Sequence, residues 1–262
     1  MKTLVCIKMV PDTSEAELRL NDTKKGIITN GLTFGINETD NYAVEEAILI
    51  KEALGGTVTV LAMASKDADV MIRMALAKGG DNALRIEDPR VNTQDPLQVA
   101  KVLAAAVKDE QYDLIITGCM SSDEKNMSVG VALAAQLGMH HAAMVKHVDV
   151  GEDKVTVQRE LEGGLLEVTE VALPAVLAVQ TGINTPRYAP IREMRQALKK
   201  ELKVVTLDDI GVDAESVSAA ASKVELLGLY FPEVISNAIM LQGSPDETAG
   251  EIAFKLVKGG ML

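Results

Sequence analysis

The sequence predicts an α/β fold, with a doubly wound, mainly parallel sheet, antiparallel edge strands and a C-terminal arm. Three observations predict it. Short, continuous apolar runs alternate with amphipathic helical segments up to about residue 138, a pattern typical of a parallel sheet covered by helices on both faces. Beyond that point, β-rich runs are joined by turn sequences, and a helical segment ends the chain.

In the first half, each apolar run is followed by a helical segment. The predicted strands are residues 3–10, 57–63, 82–87 and 112–118, and the predicted helices are residues 41–54, 68–80, 95–110 and 125–138. Asp95 has the place and chemistry of an N-cap, and Pro96 suits the first turn of the third helix. Glycines end the other helices. This alternation indicates that the helices cross over between parallel strands.

In the second half, the turn sequences GED (151–153) and EGG (162–164) predict antiparallel strands that extend the sheet at one edge. Residues 204–245 are mixed and loop-rich. Residues 244–258 predict a terminal helix that begins at Ser244 or Asp246. That helix lies outside the core pattern, so it packs either on a partner chain or on its own domain.

Composition excludes several classes of function. The 262 residues carry a net charge of −12, with 3% aromatic residues and no Trp. An acidic chain lacks the cationic face that phosphate backbones require, so we expect no nucleic-acid partner. No apolar run reaches the ~18 residues of a membrane span, and the N-terminal run is too short for a signal peptide. We therefore expect a cytoplasmic protein with no membrane partner.

The loop GCMSSDEKNMSVG (118–130) is the strongest candidate for a ligand site. Ligands of doubly wound sheets lie beyond the carboxyl ends of the strands, and this small, polar loop follows a predicted strand and leads into a helix. Its amides and the helix N-terminus suit phosphate. Its spacing matches neither G-x-G-x-x-G nor a P-loop, so on these residues alone an ordinary strand–helix connection is favoured and nucleotide binding is the alternative.

No catalytic or metal-binding constellation is visible. His141 and His147 would share one face of a strand, but they lack a third ligand at a sensible spacing. Ser121 has no G-x-S-x-G context. Cys6 and Cys119 form no C-x-x-C pair and lie in or beside apolar runs, where cysteine is a small buried hydrophobe. We predict no metal site.

Several stretches together resemble one family, the β subunit of electron-transfer flavoproteins. The stretches that carry the resemblance are RELEGG (159–164), LPAVLAVQTGINTPRYAPI (173–191), MRQALKK (194–200), CIKMVPDT (6–13), NETDNYAVEEAILIKE (37–52), MIRMALAKGGD (71–81) and YDLIITG with the following SSD (112–123). The resemblance covers residues 1–210. It implies a Rossmann-like, adenine nucleotide-binding fold.

The resemblance also implies cofactors and partners. Such β subunits pair with an α subunit that carries an FAD in a mobile domain. In one branch the β subunit holds a structural AMP. In another it holds a second FAD, which accepts a hydride from NADH and bifurcates the electron pair. The sequence VPDT (10–13) resembles the bifurcating branch of anaerobes, so we expect FAD with NAD(H) as electron donor, and AMP is the alternative.

The resemblance places the nucleotide site at the strand ends and in the loop 118–129. The residues that it assigns to the cofactor are Cys6, Lys8, Val10, Asp12, Asn37, Met63, Gly118, Asp123, Lys125, Asn126, Met127, Ser128 and Val129. The loop has Met120 and Ser121 where the family commonly has Gln and Ala. Its backbone role therefore carries over more directly than its side-chain roles.

Residues 181–200, here called the docking segment, are basic within an acidic chain. By resemblance, the part at 187–200 is a recognition loop and helix that docks an acyl-CoA dehydrogenase or a related flavoenzyme. The residues assigned to docking are Arg187, Tyr188, Ile191, Arg192, Met194 and Arg195. An exposed apolar anchor at Ile191 would fill a partner pocket, and the arginines would steer the encounter. The alternative is a solvated basic helix with Ile191 in the core.

These inferences predict two parts of the chain. Residues 1–204 form the nucleotide-binding domain with the recognition loop, and residues 205–262 form a C-terminal arm and helix that contact the α subunit. An unrelated ATP-dependent enzyme or nucleotide sensor is a further alternative. It would be favoured by a Gly-rich phosphate motif followed by a catalytic Lys, and the sequence has none.

Overall fold

The computed structural model describes residues 1–14, 16–233, 236 and 238–261. They form two compact units, Met1–Gly228 and Leu229–Leu262. The strands are β1 Lys2–Ile7, β2 Met9–Pro11, β3 Phe34–Ile36, β4 Thr57–Met63, β5 Asn82–Ile86, β6 Leu114–Gly118, β7 His140–Val150, β8 Lys154–Glu160, β9 Leu166–Ala172, β10 Ala175–Val179 and β11 Leu202–Val205. The helices are α1 Glu38–Leu54, α2 Asp69–Lys78, α3 Pro96–Val107, α4 Val129–Leu137, α5 Ile191–Ala197 and α6 Pro245–Lys258.

A nine-stranded sheet organises the first unit, in the order β11-β5-β4-β1-β6-β10-β7-β8-β9. The six strands from β11 to β10, and the pairing of β10 with β7, are parallel. The strands β7, β8 and β9 pair antiparallel at one edge. This sheet confirms the predicted fold class. Its continuous apolar strands are typical of a parallel sheet that is covered on both faces.

The two faces of the sheet have separate apolar cores. One core contains buried side chains of α1 and α2, such as Ile48 and Leu76, and the other contains side chains of α3 and α4, such as Leu103 and Leu133. The chain crosses from one face to the other after β5, so β1 and β6 lie side by side while their following helices lie on opposite faces. This arrangement opens a crevice at the carboxyl ends of β1 and β6.

Several element boundaries differ from the sequence prediction. The apolar run 3–10 forms two strands, because β1 ends at Ile7 and β2 then pairs with β3 in a separate hairpin. Helix α1 begins at Glu38, earlier than predicted, and α4 begins only at Val129. The Asp95 cap of α3 is confirmed, since its carboxylate accepts from the Leu97 N–H at 2.9 Å. Because α4 begins only at Val129, the residues between β6 and α4 form a long loop.

The sheet gains a strand, Leu202–Val205, that the sequence did not predict. Strand β11 pairs in parallel with β5 at the edge opposite β9. Beyond it, Leu207, Val212 and Val217 are buried in the core on the α3 side of the sheet. The first unit therefore extends to Gly228.

The second unit contains α6. Its N-terminus has a full capping box, in which Ser244 and Glu247 exchange side-chain and backbone hydrogen bonds. No residue of α6 is buried, and Ile252, Phe254 and Val257 are exposed. Across the described ranges, no helix has both the length and the apolar character that a membrane span requires.

Candidate functional site

A cavity of about 290 Å³ lies at the crevice between β1 and β6. Its walls combine strand ends, the N-termini of α1 and α3, and the loop that precedes α4. An apolar side is formed by Leu61, Met63, Val99 and Leu103, and a polar side by the loop before α4. A mostly apolar cleft with a few polar groups is typical of small-molecule sites.

The loop at residues 118–129, here called the cradle loop, is fixed at its start by the N-terminus of α1. The Asn37 Nδ2 donates to the Met120 carbonyl at 2.9 Å, and the Asn37 Oδ1 accepts from the Ser122 N–H at 3.0 Å. The Thr39 hydroxyl donates to the same Met120 carbonyl at 2.6 Å. These bonds hold the loop against α1 and open it towards the cavity.

Asp40 ties the ends of β1 and β6 together. Its two carboxylate oxygens accept separately from the Lys8 N–H at 2.8 Å and the Gly118 N–H at 3.0 Å. Burial raises the pKa of this carboxyl to about 7, although both backbone bonds favour its charged form. At neutral pH it therefore carries only part of a negative charge beside the candidate anion site.

Glycine at position 118 is required by this close approach. A Cβ added there would lie 2.2 Å from the Thr39 Oγ1 and 2.3 Å from an Asp40 carboxylate oxygen. No side chain fits at those distances. The strand end, α1 and the cradle loop can meet only because this residue has none.

The cradle loop is strained where it approaches α4. Lys125 and Met127 adopt left-handed backbone conformations, with φ of 55° and 53°. Neither is Gly or Asn, so each conformation is unfavourable for its residue type. Strained residues of this kind cluster at ligand sites, because the surrounding structure must hold them in place.

The N-terminus of α4 is the one at this edge best suited to an anion. Asp95 caps α3, and α1 carries Glu38 and Asp40 in its first turn. In contrast, the Ser128 side chain makes no capping bond, and α4 has no acidic residue in its first turn. Its first N–H groups and the positive end of its dipole face the cavity, which suits phosphate.

An ion pair closes the other side of the cradle loop. The Lys8 Nζ lies 2.9 Å from an Asp123 carboxylate oxygen and 3.2 Å from a Glu124 carboxylate oxygen. Lys8 also lines the cavity. The end of β1 thus supplies a mobile cation within reach of the site and joins it to the loop.

The structure brings most of the predicted cofactor residues together. Those that line the cavity are Cys6, Lys8, Asn37, Met63, Gly118, Asn126, Met127, Ser128 and Val129. Of the other four, Asp123 bonds to Lys8, Lys125 is exposed on the loop and Val10 is buried. Asp12 is exposed and accepts from the Ser14 hydroxyl at 2.7 Å, which lowers the pKa of its carboxyl.

Sequence reasoning missed three features of the site. Asp40 was placed before the helix, although a helix beginning at Glu38 would have placed it in the first turn. Val99 and Leu103, which share a helix face at i and i+4, line the cavity, and the sequence analysis gave them no role there. Thr117 lines the cavity with a buried hydroxyl that has no hydrogen-bond partner among the described residues.

Both cysteines are buried, as predicted. Cys6 and Cys119 are free, and burial raises the pKa of both thiols, that of Cys6 to about 12. Such thiols are poor nucleophiles and poor metal ligands. No cluster of His, Cys, Asp and Glu suited to a metal ion occurs among the residues that the structure describes.

The docking segment separates into outer and inner side chains. Tyr188 is 95% exposed and Ile191 is 77% exposed, and Arg192 and Arg195 are also exposed on α5. The Arg187 side chain is partly buried and pairs with acidic residues of α1, as described below. Met194 packs against the core on the α1 side of the sheet. The segment thus presents an apolar tip and the cations Arg192, Arg195 and Lys199 to solvent.

Comparison with known proteins agrees with this geometry. A family model described as the electron transfer flavoprotein domain matches residues 25–210. The chain is 35% identical to the electron transfer flavoprotein subunit beta of Methylophilus methylotrophus over 96% of each chain. It is also 35% identical to the protein of that name from Thermoanaerobacterium thermosaccharolyticum over 98% of each. The caffeyl-CoA reductase-Etf complex subunit CarD of Acetobacterium woodii is 32% identical over 98% of each.

Proposed function

This chain belongs to the electron transfer flavoprotein β-subunit family, and from that membership we propose that its cavity binds a second FAD. When bound, this FAD would accept a hydride from NADH and release its two electrons singly. One would pass through the FAD of the α subunit to an acyl-CoA dehydrogenase or a related flavoenzyme, and the other to a separate one-electron acceptor. The chain is an electron-carrying subunit of a heterodimer rather than a stand-alone enzyme.

The observation that carries the proposal is the combination of the cradle loop and the α4 N-terminus. The left-handed Met127 and the uncapped N-terminus of α4 line one cavity, and the left-handed Lys125 lies in the same loop. This arrangement provides backbone N–H groups for phosphate oxygens and needs no particular side chain. Its independence of side chains explains how the loop tolerates Met120 and Ser121 in place of the family's common residues.

The remaining walls suit an adenine nucleotide. The apolar side chains of Leu61, Val99 and Leu103 offer a surface for a flat base, and Lys8 offers a cation for the phosphates. To contact phosphate, Lys8 would exchange Asp123 or Glu124 for a phosphate oxygen.

The sequence VPDT supports FAD over AMP. Pro11 ends β2, which pairs with β3 beyond the carboxyl end of β1, and in this proposal Asp12 and Thr13, which follow Pro11, lie near the flavin ring. The similarity to CarD, named as a subunit of a caffeyl-CoA reductase-Etf complex, is compatible with this choice. When bound, FAD supplies two-electron acceptance and one-electron delivery, while the protein supplies binding and orientation.

The second candidate is a β subunit that holds AMP and acts as scaffold and docking surface. The same cradle loop suits either nucleotide, because both present phosphate to it. The volume of the cavity, about 290 Å³, lies near the lower end of the range for ligand sites and favours the smaller group.

Cofactor analysis tests the proposal. The chain is co-expressed with its α subunit, the cofactors are released with acid, and FAD and AMP are quantified per heterodimer. Two FAD and no AMP are expected. One FAD and one AMP would overturn the bifurcating role and establish the scaffold. The absence of any nucleotide beyond the α-subunit FAD would contradict both candidates.

We also propose that α6 docks on the α subunit. Its apolar side chains Ile252, Phe254 and Val257 are exposed, and Phe254 and Val257, three residues apart, share one side of the helix. A chain that ends before Pro245 should co-purify poorly with the α subunit. Normal co-purification and an unchanged thermal midpoint of the heterodimer would show that α6 is not an inter-subunit arm. The cytoplasmic location remains a prediction of the sequence.

A further inference from the structure

We propose that the docking segment is held in its docking conformation by two clamps, one at each end, and that Arg187 and Arg73 are positioning residues rather than partner contacts. The proposal rests on the docking function proposed above and adds residues to it. It revises the role predicted for Arg187, which the sequence assigned to the partner-contacting set. The clamps anchor the segment to α1 at one end and to α2 at the other.

The first clamp joins Arg187 to α1. Its Nε lies 2.9 Å and 3.1 Å from the two carboxylate oxygens of Glu45, and its backbone N–H donates to the same carboxylate at 2.9 Å. Its terminal nitrogens pair with both oxygens of Glu52. Glu45 is only 4% exposed at its side chain. The Nε and both terminal nitrogens of Arg187 are therefore engaged by carboxylates of α1, one buried and one exposed, so few donors of the guanidinium are left for a partner.

Asn184 lies in the loop before α5 and strengthens the first clamp, because it also bonds to α1. Its Nδ2 donates to the Tyr42 carbonyl at 3.1 Å and to the Glu46 carboxylate at 2.9 Å. Burial raises the pKa of Glu46, while the Asn184 bond acts in the opposite direction. The loop before α5 is thus bonded to the middle of α1 at two successive points.

The second clamp is reciprocal and joins α5 to α2. The Arg73 Nη1 donates to the carbonyls of Ala197, the last residue of α5, and of Lys200, at 2.7 Å and 2.6 Å. In return, the Lys200 Nζ donates to the Leu76 and Gly80 carbonyls at 2.9 Å and 2.5 Å, at the end of α2. Arg73 of α2 therefore satisfies carbonyls at the end of α5, and Lys200, which follows α5, satisfies carbonyls at the end of α2.

Between the clamps, the inner side chains Ile183, Ala189 and Met194 pack against the core. The outer side chains Tyr188 and Ile191 remain exposed. Each proline of the segment fixes its own φ angle, so the main chain that joins the inner and outer side chains has little freedom. The segment is therefore ordered before any partner arrives, which reduces the entropy lost on docking.

Hydrogen–deuterium exchange on the intact heterodimer tests the clamps. Arg187→Gln should speed exchange about tenfold over residues 183–190, and Arg73→Gln should do so over 191–200, because each removes one set of anchors. The core strands should keep their protection. Arg195 is an exposed residue of α5. Arg195→Gln is the matched control and should leave exchange unchanged.

Two milder variants keep the test decisive if Arg187→Gln impairs folding. Glu52→Gln removes only the exposed half of the clamp and should raise exchange less than Arg187→Gln does. Arg187→Lys should restore part of the protection, since Lys can pair with one carboxylate but lacks the fork. Wild-type protection in Arg187→Gln and Arg73→Gln would overturn the proposal.

A kinetic measurement separates positioning from contact. Electron transfer is measured with butyryl-CoA dehydrogenase and butyryl-CoA as probe, at varied heterodimer concentration. Arg187→Gln should raise KM about tenfold with kcat unchanged, and Arg187→Lys should lie between. If a variant exchanges faster than wild type but keeps the wild-type KM, the positioning role is overturned. If wild-type heterodimer accepts no electrons from the probe, the proposed docking partner fails, while the exchange results still decide the clamps.

Discussion

The cradle loop and the docking segment follow neighbouring parallel strands, yet they are built in opposite ways. β6 leads into the cradle loop and α4, and β10 leads into the docking segment and α5, with Gly118 and Val179 in register. The cradle loop has a strained backbone with two left-handed residues. The docking segment has no such residue outside Gly182, and it is fixed by ion pairs and carbonyl caps.

The difference matches what each region is proposed to bind. Phosphate is small and is recognised by backbone N–H groups, so a loop that binds it must shape its main chain and direct N–H groups into the site. A protein partner is recognised by protruding side chains, so the docking segment must fix its main chain and leave Tyr188 and Ile191 exposed. Strain is expected in the first case and rigidity in the second.

The largest effect should come from filling the close approach at the cradle loop. Gly118→Ala places a Cβ within 2.3 Å of Thr39 and Asp40, and overpacking of this kind costs roughly 1–3 kcal/mol. Nucleotide content of the heterodimer should fall about tenfold or more. Gly35→Ala is the matched control, because its added Cβ meets nothing within 4 Å. Full nucleotide content in Gly118→Ala would show that the approach is not needed for binding.

The next effect concerns the apolar tip of the docking segment. Ile191→Ala removes the exposed anchor, and truncation of such an anchor costs more than about 1 kcal/mol. The KM for a partner dehydrogenase should rise about tenfold, with nucleotide content unchanged, in steady-state electron-transfer assays. Leu97→Ala, an exposed apolar residue of α3 on the opposite face of the sheet, provides the control. Equal rates for both variants would remove the docking role from Ile191.

A pH-dependent effect should distinguish the cradle side from the docking side. The pKa of Asp40 is raised from 3.8 to about 7 in the folded protein. The folded state therefore binds more protons between these values, and the stability from this carboxyl is present below about pH 4 and is lost as pH rises through 7. Its slope is at most about 1.4 kcal/mol per pH unit.

Asp40→Asn should remove this slope from the apparent unfolding free energy of the heterodimer, measured from pH 5 to 8. Glu52→Gln is the control on the docking side. Arg187 lowers the pKa of the Glu52 carboxyl, so the stability from that group is lost only as pH falls through acid values. An identical pH profile in wild type and Asp40→Asn would contradict the raised pKa.

The smallest effect should come from relieving strain. Met127→Gly replaces a left-handed Met by the residue that accepts this conformation, so stability should be unchanged or rise by up to about 1 kcal/mol. Met74→Gly, in the interior of α2, should lower stability by about 1 kcal/mol. Thermal unfolding of the two variants makes the comparison. Equal losses would mean that Met127 is not strained.

Local patterns in the sequence predicted much of the molecule. The apolar runs located most parallel strands, and Asp95 with Pro96 located the start of α3. The cradle loop was found because polar residues follow a buried strand. Strand β11 was not found, since Leu202–Val205 is a four-residue run directly after a basic helix and has no turn signal of its own.

The sequence predicted some residues of the candidate site and missed others, because it reveals local patterns and not contacts between distant residues. Backbone-dependent members such as Gly118 and Ser128 belong to one continuous loop and were placed correctly at the cavity. Asp40 was missed because its partners, the N–H groups of Lys8 and Gly118, lie on two different strands. Its local context resembles an ordinary first turn of a helix.

The sequence by itself determined the family, the parallel sheet and the position of the loop and basic segment that carry function, because each of these is written in neighbouring residues. Only the tertiary structure decided which charges face outward. Arg187 reads as a docking cation in the sequence, but its carboxylate partner Glu45 lies 142 positions away. Burial of that pair depends on the packing of the segment against α1, and no local pattern encodes a contact between such distant residues.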